Sequence, residues 1–271
     1  MRTTFLRTGV AGRVRARQRP LGRRILTRSL FCSAIVCVVI LFGQRLTASF
    51  ITTPHYAVGI GSTSVAVGDF NGDGIPDIAL ANYGSPPDYA DGGVAILLGN
   101  GDGTFQAPCT YDFGTPALSV AIGDFNGDSK LDVVTTNQNG TISVLLGNGD
   151  GAFQTAKSFS VARFSLGSVA VGDFNGDSIL DLVVTRPLDG ISVLLGNGDG
   201  TFQTPQNYAT GSSLAVAVGD FNGDGIADLA SVGGQILSIF LGKGDGTFLP
   251  AASYAAGRVS QGLAVGDFNG D

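Results

Sequence analysis

The string Gly-Asp-Phe-Asn-Gly-Asp occurs five times, starting at Gly68, Gly123, Gly172, Gly219 and Gly266. Counted from the Asp after each of these glycines (Asp69, Asp124, Asp173, Asp220 and Asp267), the steps are 55, 49, 47 and 47 residues. A second string, Leu-Gly-(Asn/Lys)-Gly-Asp-Gly, falls between the marks at Leu98–Gly103, Leu146–Gly151, Leu195–Gly200 and Leu241–Gly246. Two motifs recurring in register at this period mean one supersecondary unit used again and again. Such a unit buries its apolar face only by stacking on its neighbours, as in a solenoid or a propeller.

The contents of one period favour the propeller. A short apolar segment precedes each mark (Ser64–Val67, Ser119–Ile122, Ser168–Val171, Leu214–Val218). A second follows it (Ile78–Ala81, Val133–Thr136, Leu182–Thr185, Leu229–Val232). A third leads into the Gly-rich turn (Val94–Leu98, Ile142–Leu146, Ile191–Leu195, Ile236–Leu241). A fourth runs from Phe105, Phe153, Phe202 or Phe248 to an aromatic residue, Tyr111, Phe159, Tyr208 or Tyr254. Four short strands per period make a propeller blade. The second and third are nearly continuous apolar runs, as expected of strands covered on both faces. The expected fold is therefore all-β: a propeller of four-stranded blades, with four complete blades and the first strand of a fifth, over residues 50–271. An incomplete ring exposes apolar faces and strand edges.

Composition agrees. All 22 acids are Asp, and there are 42 Gly, an inventory of turns rather than helices. From residue 46 onward 22 acids face six bases (Arg163, Arg186, Arg258, Lys130, Lys157 and Lys243), a net charge of 6 − 22 = −16. That excess repels phosphates and excludes nucleic acid as a partner; it points to cations. Cys109 is the one Cys outside the leader, so neither an internal disulfide nor a Cys/His zinc site is expected in the body. His55 is the single His, so a Ser-His-Asp triad inside the propeller is excluded.

Residues 1–45 hold ten Arg and no acid, and Leu30–Gly43 is an uncharged apolar run containing Cys32 and Cys37. Basic, apolar, then small residues (Thr47, Ala48, Ser49) is the order of a secretory signal. The run is shorter than the roughly 17–25 residues a spanning helix uses. Residues 1–49 are read as a signal peptide, the alternative being a membrane anchor with its basic end in the cytoplasm. Either way the body is exported, to a secreted or cell-surface location.

Each mark opens a loop of pattern Asp-x-Asn-x-Asp-(Gly/Ser)-x-x-Asp. Its oxygen-bearing side chains at positions 1, 3, 5 and 9 are Asp69, Asn71, Asp73 and Asp77 in the first repeat. They are Asp124, Asn126, Asp128 and Asp132 in the second, Asp173, Asn175, Asp177 and Asp181 in the third, and Asp220, Asn222, Asp224 and Asp228 in the fourth. The carbonyl at position 7 (Ile75, Lys130, Ile179 or Ile226) can add a fifth oxygen. Asp267, Asn269 and Asp271 match positions 1, 3 and 5 of a fifth loop. Alternate spacing lets a tight turn aim every second side chain at one point, and hard anionic oxygens suit Ca²⁺. Two carboxylates 4 Å apart repel by about 4 kcal/mol at an effective dielectric of 20; a divalent ion reverses that. About one Ca²⁺ per complete repeat is expected. A helical EF-hand is excluded, because position 12 is Leu80, Thr135, Val184 or Ser231 instead of Glu.

The two motifs in register resemble the FG-GAP/VCBS repeats that build the propellers of integrin α-subunits and many bacterial secreted proteins. The resemblance spans roughly residues 56–271. It implies a propeller, usually seven-bladed, with Ca²⁺ in the loop joining the first two strands of each blade and the position 1, 3, 5, 7 and 9 residues above as its ligands. Ser129 and Ser178 replace the Gly at position 6, and if that position needs a positive φ those two sites are strained and bind more weakly.

Asp102, Asp150, Asp199 and Asp245 lie in Gly-Asp-Gly turns and are read as hairpin residues. The first period is 55 − 47 = 8 residues longer than the last two, and the excess lies in Asn82–Gly93. Loops on a rigid scaffold often carry binding specificity, although a neutral insertion is the favoured reading. The expected function is an extracellular Ca²⁺-binding module for an unknown protein or glycan, without catalysis. The alternatives are a polysaccharide lyase or hydrolase on the same scaffold, with Asp88 and Asp91 as its candidate acids, and a structural spacer within a larger surface protein.

Overall fold

The computed structural model describes residues 54–258 and 260–267. The leader, the last two oxygen positions of the fifth loop (Asn269, Asp271) and the split at residue 49 lie outside them. The described residues fold into sixteen strands in four antiparallel sheets, each a meander in chain order. Blade 1 is β1 (Ser62–Gly68), β2 (Asp77–Asn82), β3 (Gly93–Leu97) and β4 (Cys109–Asp112). Blade 2 is β5 (Ala117–Gly123), β6 (Asp132–Asn137), β7 (Thr141–Leu145) and β8 (Lys157–Ser160). Blade 3 is β9 (Val169–Gly172), β10 (Asp181–Arg186), β11 (Gly190–Leu194) and β12 (Gln206–Tyr208). Blade 4 is β13 (Ala215–Gly219), β14 (Asp228–Gly233), β15 (Ile236–Phe240) and β16 (Ala252–Ala255). The four-strand period is therefore as expected, and the described residues contain no helix. Ser260–Asp267, read as the leading strand of a fifth blade, lie against blade 4 without forming a strand.

Register follows from the loop. In each blade the Gly before the mark pairs with the Asp at position 9, as in Gly68↔Asp77 and Gly172↔Asp181. The second strands are buried almost throughout: β6 and β14 at every position, β10 at all but Arg186. This is the origin of the continuous apolar runs of β6 and β10, since both faces of each meet a neighbouring sheet. Three apolar clusters fill the three seams between blades.

The seams repeat in polar detail too. Gly151 N–H donates to the Phe70 carbonyl of the preceding blade (3.0 Å), Gly200 N–H to that of Phe125 (2.9 Å) and Gly246 N–H to that of Phe174 (2.9 Å). The turn phenylalanine packs edge-on against the loop phenylalanine of the blade before it: Phe153 on Phe70, Phe202 on Phe125, Phe248 on Phe174. Its N–H also donates to the outer tyrosine of that blade, Phe153 to Tyr111 Oη (3.0 Å) and Phe248 to Tyr208 Oη (3.2 Å). The loop phenylalanines, unremarked in the sequence, are thus seam residues.

Meander topology puts the β1–β2 loop and the β3–β4 turn of a blade at one end and the β2–β3 connection at the other. The aspartate loops all lie at the first end. The insertion of blade 1 lies at the opposite end, where Tyr83 N–H donates to the Gly61 carbonyl (3.0 Å) and Gly84 N–H to that of Ile60 (2.9 Å).

Candidate metal centre

Asp69, at position 1, organises its loop. Its Oδ1 accepts from Gly72 N–H (2.7 Å) and Asp73 N–H (3.2 Å), and its Oδ2 accepts from Gly74 N–H (2.8 Å). Asp124, Asp173 and Asp220 accept in the same way from Gly127 and Ser129, from Gly176 and Ser178, and from Gly223 and Gly225. The donors at position 6 hold the Asp69 and Asp220 carboxyls below the ordinary carboxylate value; partial desolvation works against them. Asn71 Oδ1 takes Asp73 N–H (3.0 Å), and Asp73 Oδ1 takes the N–H of Ile75 (2.8 Å). Positions 1, 3 and 5 are therefore preset as acceptors by a chain of short side-chain-to-backbone bonds. The equivalent bonds at Asn126, Asp128 and Lys130, Asn175, Asp177 and Ile179, and Asn222, Asp224 and Ile226 repeat the pattern.

Position 9 differs. Asp77, Asp132, Asp181 and Asp228 are fully buried. One oxygen of each accepts from the N–H at position 2, as Asp181 Oδ2 does from Phe174 (2.9 Å). The other accepts from the Gly two residues after the third strand, as Asp181 Oδ1 does from Gly196 (2.8 Å). Gly99, Gly147 and Gly242 serve Asp77, Asp132 and Asp228 identically. Those glycines also approach the backbone closely: a Cβ on Gly147 would stand 2.2 Å from the Leu131 carbonyl oxygen. The glycine of the Leu-Gly motif is thus the loop's clamp, a role not evident in the sequence. The spacing from position 9 is 15 residues for Asp132–Gly147 and Asp181–Gly196 but 14 for Asp228–Gly242 and 22 for Asp77–Gly99, so spacing alone does not mark the clamp.

Burial pushes the Asp132 and Asp181 carboxyls up, opposed by those two N–H donors. The charges of Asp128 and Asp124 push Asp132 up further, and those of Asp177 and Asp173 do the same to Asp181. The three carboxylates of one loop therefore feel one another. They are not drawn into a compact cluster: among the described residues no three Asp, His or Cys side chains are gathered closely enough to hold a metal by themselves. The set still fits a hard divalent cation in its chemistry, because four side-chain oxygens and a carbonyl occur within nine residues.

The blades are unequal. At position 6 Gly74 and Gly225 have φ 80°, and Ser129 and Ser178 are held at φ 64° and 65°. The expected strain is thus present in blades 2 and 3. In blades 1, 3 and 4 the Asn at position 3 donates Nδ2 to the Asp at position 5, as Asn71 does to Asp73 Oδ2 (2.9 Å). In blade 2 that oxygen instead faces Lys130 Nζ at 3.7 Å.

The turn aspartates behave as hairpin residues. Asp102 Oδ1 accepts from both N–H and Oγ1 of Thr104, and Asp199 and Asp245 do the same with Thr201 and Thr247. In the insertion, Asp91 accepts Ser85 N–H at Oδ1 (2.5 Å) and Ser85 Oγ–H at Oδ2 (2.6 Å). Tyr83 and Tyr89 pack edge to face with centroids 5.3 Å apart, and Gln138 Nε2 of blade 2 donates to Tyr83 Oη (2.6 Å).

Fold and loop together define a bladed all-β repeat protein with one aspartate loop per blade. The FG-GAP-like repeat pattern matches residues 69–135, 124–184, 173–231 and 220–271. The chain belongs to the FG-GAP-like repeat family. Among solved structures it is similar to an Agrocybe aegerita lectin that recognises non-reducing terminal N-acetylglucosamine, at 25% identity and a TM-score of 0.50. That likeness covers 69% of this chain and 50% of the lectin chain, so this chain spans about half the lectin's length. It is also similar to BBS1N from its complex with ARL6DN (12% identity, TM-score 0.47, covering 81% of this chain and 62% of that one). The Photorhabdus luminescens Tc holotoxin pore is matched at 21% identity and a TM-score of 0.39, covering 79% of this chain and 10% of that one. No curated protein matches the chain in sequence. Among the described residues no helix is long and apolar enough to cross a membrane.

Proposed function

We propose that the chain is an extracellular Ca²⁺-binding propeller module that presents its blade ends to a glycan or protein and carries out no catalysis. The observation that carries this reading is the fourfold recurrence of one oxygen-rich loop, preset at positions 1, 3 and 5 by backbone donors and fixed to its blade at position 9. Asp69, Asn71, Asp73, the Ile75 carbonyl and Asp77 would hold the ion in blade 1, and their counterparts would do so in blades 2, 3 and 4. The bound ion supplies positive charge that offsets the mutual repulsion of the loop carboxylates. The protein's own part is to keep those oxygens on one short loop and to bury position 9 in the seam.

The glycan reading draws on the lectin likeness and on the paired tyrosines of the insertion, since aromatic rings are apolar surfaces with a polar edge. Binding without catalysis draws on Asp91, whose two carboxylate oxygens are both taken up by the N–H and hydroxyl of Ser85 within the insertion. The export reading rests on the Arg-rich, then apolar, leader.

Calorimetric titration of the full chain with CaCl₂ tests the first part. About four sites are expected, and melting is expected at lower temperature in EDTA, because an ion bound only by the folded form stabilises it. Identical melting with and without chelator, and no heat of binding, would refute it. A glycan array read against a Tyr83→Ala/Tyr89→Ala variant tests the second part: loss of a wild-type signal supports it, and no wild-type signal on any glycan overturns the glycan arm.

A further inference from the structure

Four loops of one pattern differ in one charge. Their position 7 residues are Ile75, Lys130, Ile179 and Ile226, so of the four complete loops only that of blade 2 carries a base. Its three carboxylates and one ammonium sum to 1 − 3 = −2, against −3 for each of the other loops.

The Lys130 side chain is held over its own loop. A Cβ placed on Gly149, in the turn between β7 and β8, would lie 2.9 Å from Lys130 Cδ and 3.2 Å from its Cγ and Cε. Ile75, Ile179 and Ile226 approach Gly101, Gly198 and Gly244 in the same way, with Cδ1 at 3.2, 3.3 and 3.5 Å. The lysine stem thus fills the isoleucine place along the turn while its charged end stays in water. That end, Nζ, stands 3.7 Å from Asp128 Oδ2. Asp128 Oδ1 accepts from Lys130 N–H (3.0 Å), so both oxygens of the position 5 carboxylate face one residue. In the other three blades the second oxygen accepts from a neutral amide, Nδ2 of Asn71, Asn175 or Asn222 (2.8–2.9 Å).

We infer that Lys130 is a built-in counter-ion of the blade 2 loop, which makes this loop the last of the four to take up a divalent cation. The inference rests on the Ca²⁺ reading above and says which loop departs from it. In blades 1, 3 and 4 an arriving cation meets a position 5 carboxylate bonded only to neutral donors. In blade 2 it meets an ammonium at the carboxylate it needs, and like charges a few ångströms apart repel. The Lys130 carbonyl is itself the position 7 oxygen, so the positive charge is tethered within a side chain's length of the ion's place.

Strain at position 6 does not produce this difference. Ser129 and Ser178 share one backbone conformation, φ 64° and 65°, yet Ser178 is followed by Ile179. Blade 3 is therefore the comparison: the same serine without the ammonium. Lys130 and Asp128 are 44% and 34% exposed, so dissolved salt reaches and screens the pair.

Amide NMR of the full chain titrated with CaCl₂ tests the inference. The N–H groups of Gly72, Gly127, Gly176 and Gly223, each bonded to its position 1 Asp, report the four loops separately. In wild type the Gly127 signal is expected to reach its midpoint at roughly tenfold more Ca²⁺ than that of Gly176. Lys130→Met keeps an unbranched stem without charge and is expected to bring the Gly127 curve onto that of Gly176. Lys130→Arg is expected to leave it displaced. Ile179→Lys is expected to carry the Gly176 curve out to the wild-type place of Gly127. Added KCl is expected to narrow the wild-type gap. Unchanged amide signals outside the altered loop serve as the folding check. Gly127 and Gly176 titrating together in wild type, or a gap that Lys130→Met leaves in place, overturns the inference while the Ca²⁺ reading stands. No shift at any of the four loops overturns both.

Discussion

At loop position 6 a side chain stands in blades 2 and 3 where the backbone favours none. Ser129 and Ser178 adopt the left-handed conformation that glycine adopts at Gly74 and Gly225, which strains a residue bearing Cβ by on the order of 1 kcal/mol. Ser129→Gly and Ser178→Gly are each expected to raise stability by somewhat under 1 kcal/mol, since glycine's freer unfolded chain offsets part of the relief; denaturant midpoints in EDTA measure it. The turn aspartates offer a second test. The Thr201 hydroxyl, helped by its N–H, holds the Asp199 carboxyl below the ordinary value, so this group favours the fold above the ordinary carboxyl pKa and that contribution is lost as pH falls through the lowered one. Thr201→Ala is expected to move the Asp199 titration upward in a carboxyl NMR experiment. The loop oxygens and the suspect serines were readable from residue type and spacing. The glycine clamp on position 9 was not, because it joins residues brought together only when the third strand pairs with the second.

Strands and seams carry the next lesson. The apolar runs located the first three strands of each blade to within a few residues, because second and third strands are largely buried, whereas the exposed fourth strands were marked only by the aromatic residues that bracket them. The seam bonds were less visible: sequence marks the outer aromatic residue of each blade but does not say that its hydroxyl receives an N–H from the following blade. Blade 2 has Phe159 in that place, and a cavity of about 430 Å³ opens beside Phe159 and Phe202. Phe159→Tyr is expected to supply the missing acceptor for Phe202 N–H and stabilise by about 1 kcal/mol. That corresponds to roughly 2–4 °C in Tm for a domain of this size, read by thermal melting.

For the whole molecule, stability passes from neighbour to neighbour, as in other repeat architectures. Blade 3 has a seam on each side, whereas blade 4 shares one seam and bears the open face lined by Phe221. Asp181→Ala removes the acceptor of two buried N–H groups, at about 1–3 kcal/mol each, partly offset by removing a desolvated charge. In EDTA a net loss of roughly 2 kcal/mol is expected. Asp228→Ala is expected to cost less globally and to show instead as faster amide exchange confined to β13–β16. Fold class and repeat number were legible because the motif recurs without interruption. The openness of the row was legible only as an expectation, since exposure of Val67 or Phe221 depends on what stands beside it in space.

The position of the tyrosine-bearing connection has one more consequence. It leaves blade 1 at the rim opposite the aspartate loops, so an ion held as proposed at one rim would not sterically contend with whatever alights on the other. Evolution can therefore rewrite Asn82–Gly93, lengthen it or graft its like onto other blades, while the aspartate loops and their hydrogen bonds at the other rim stay untouched.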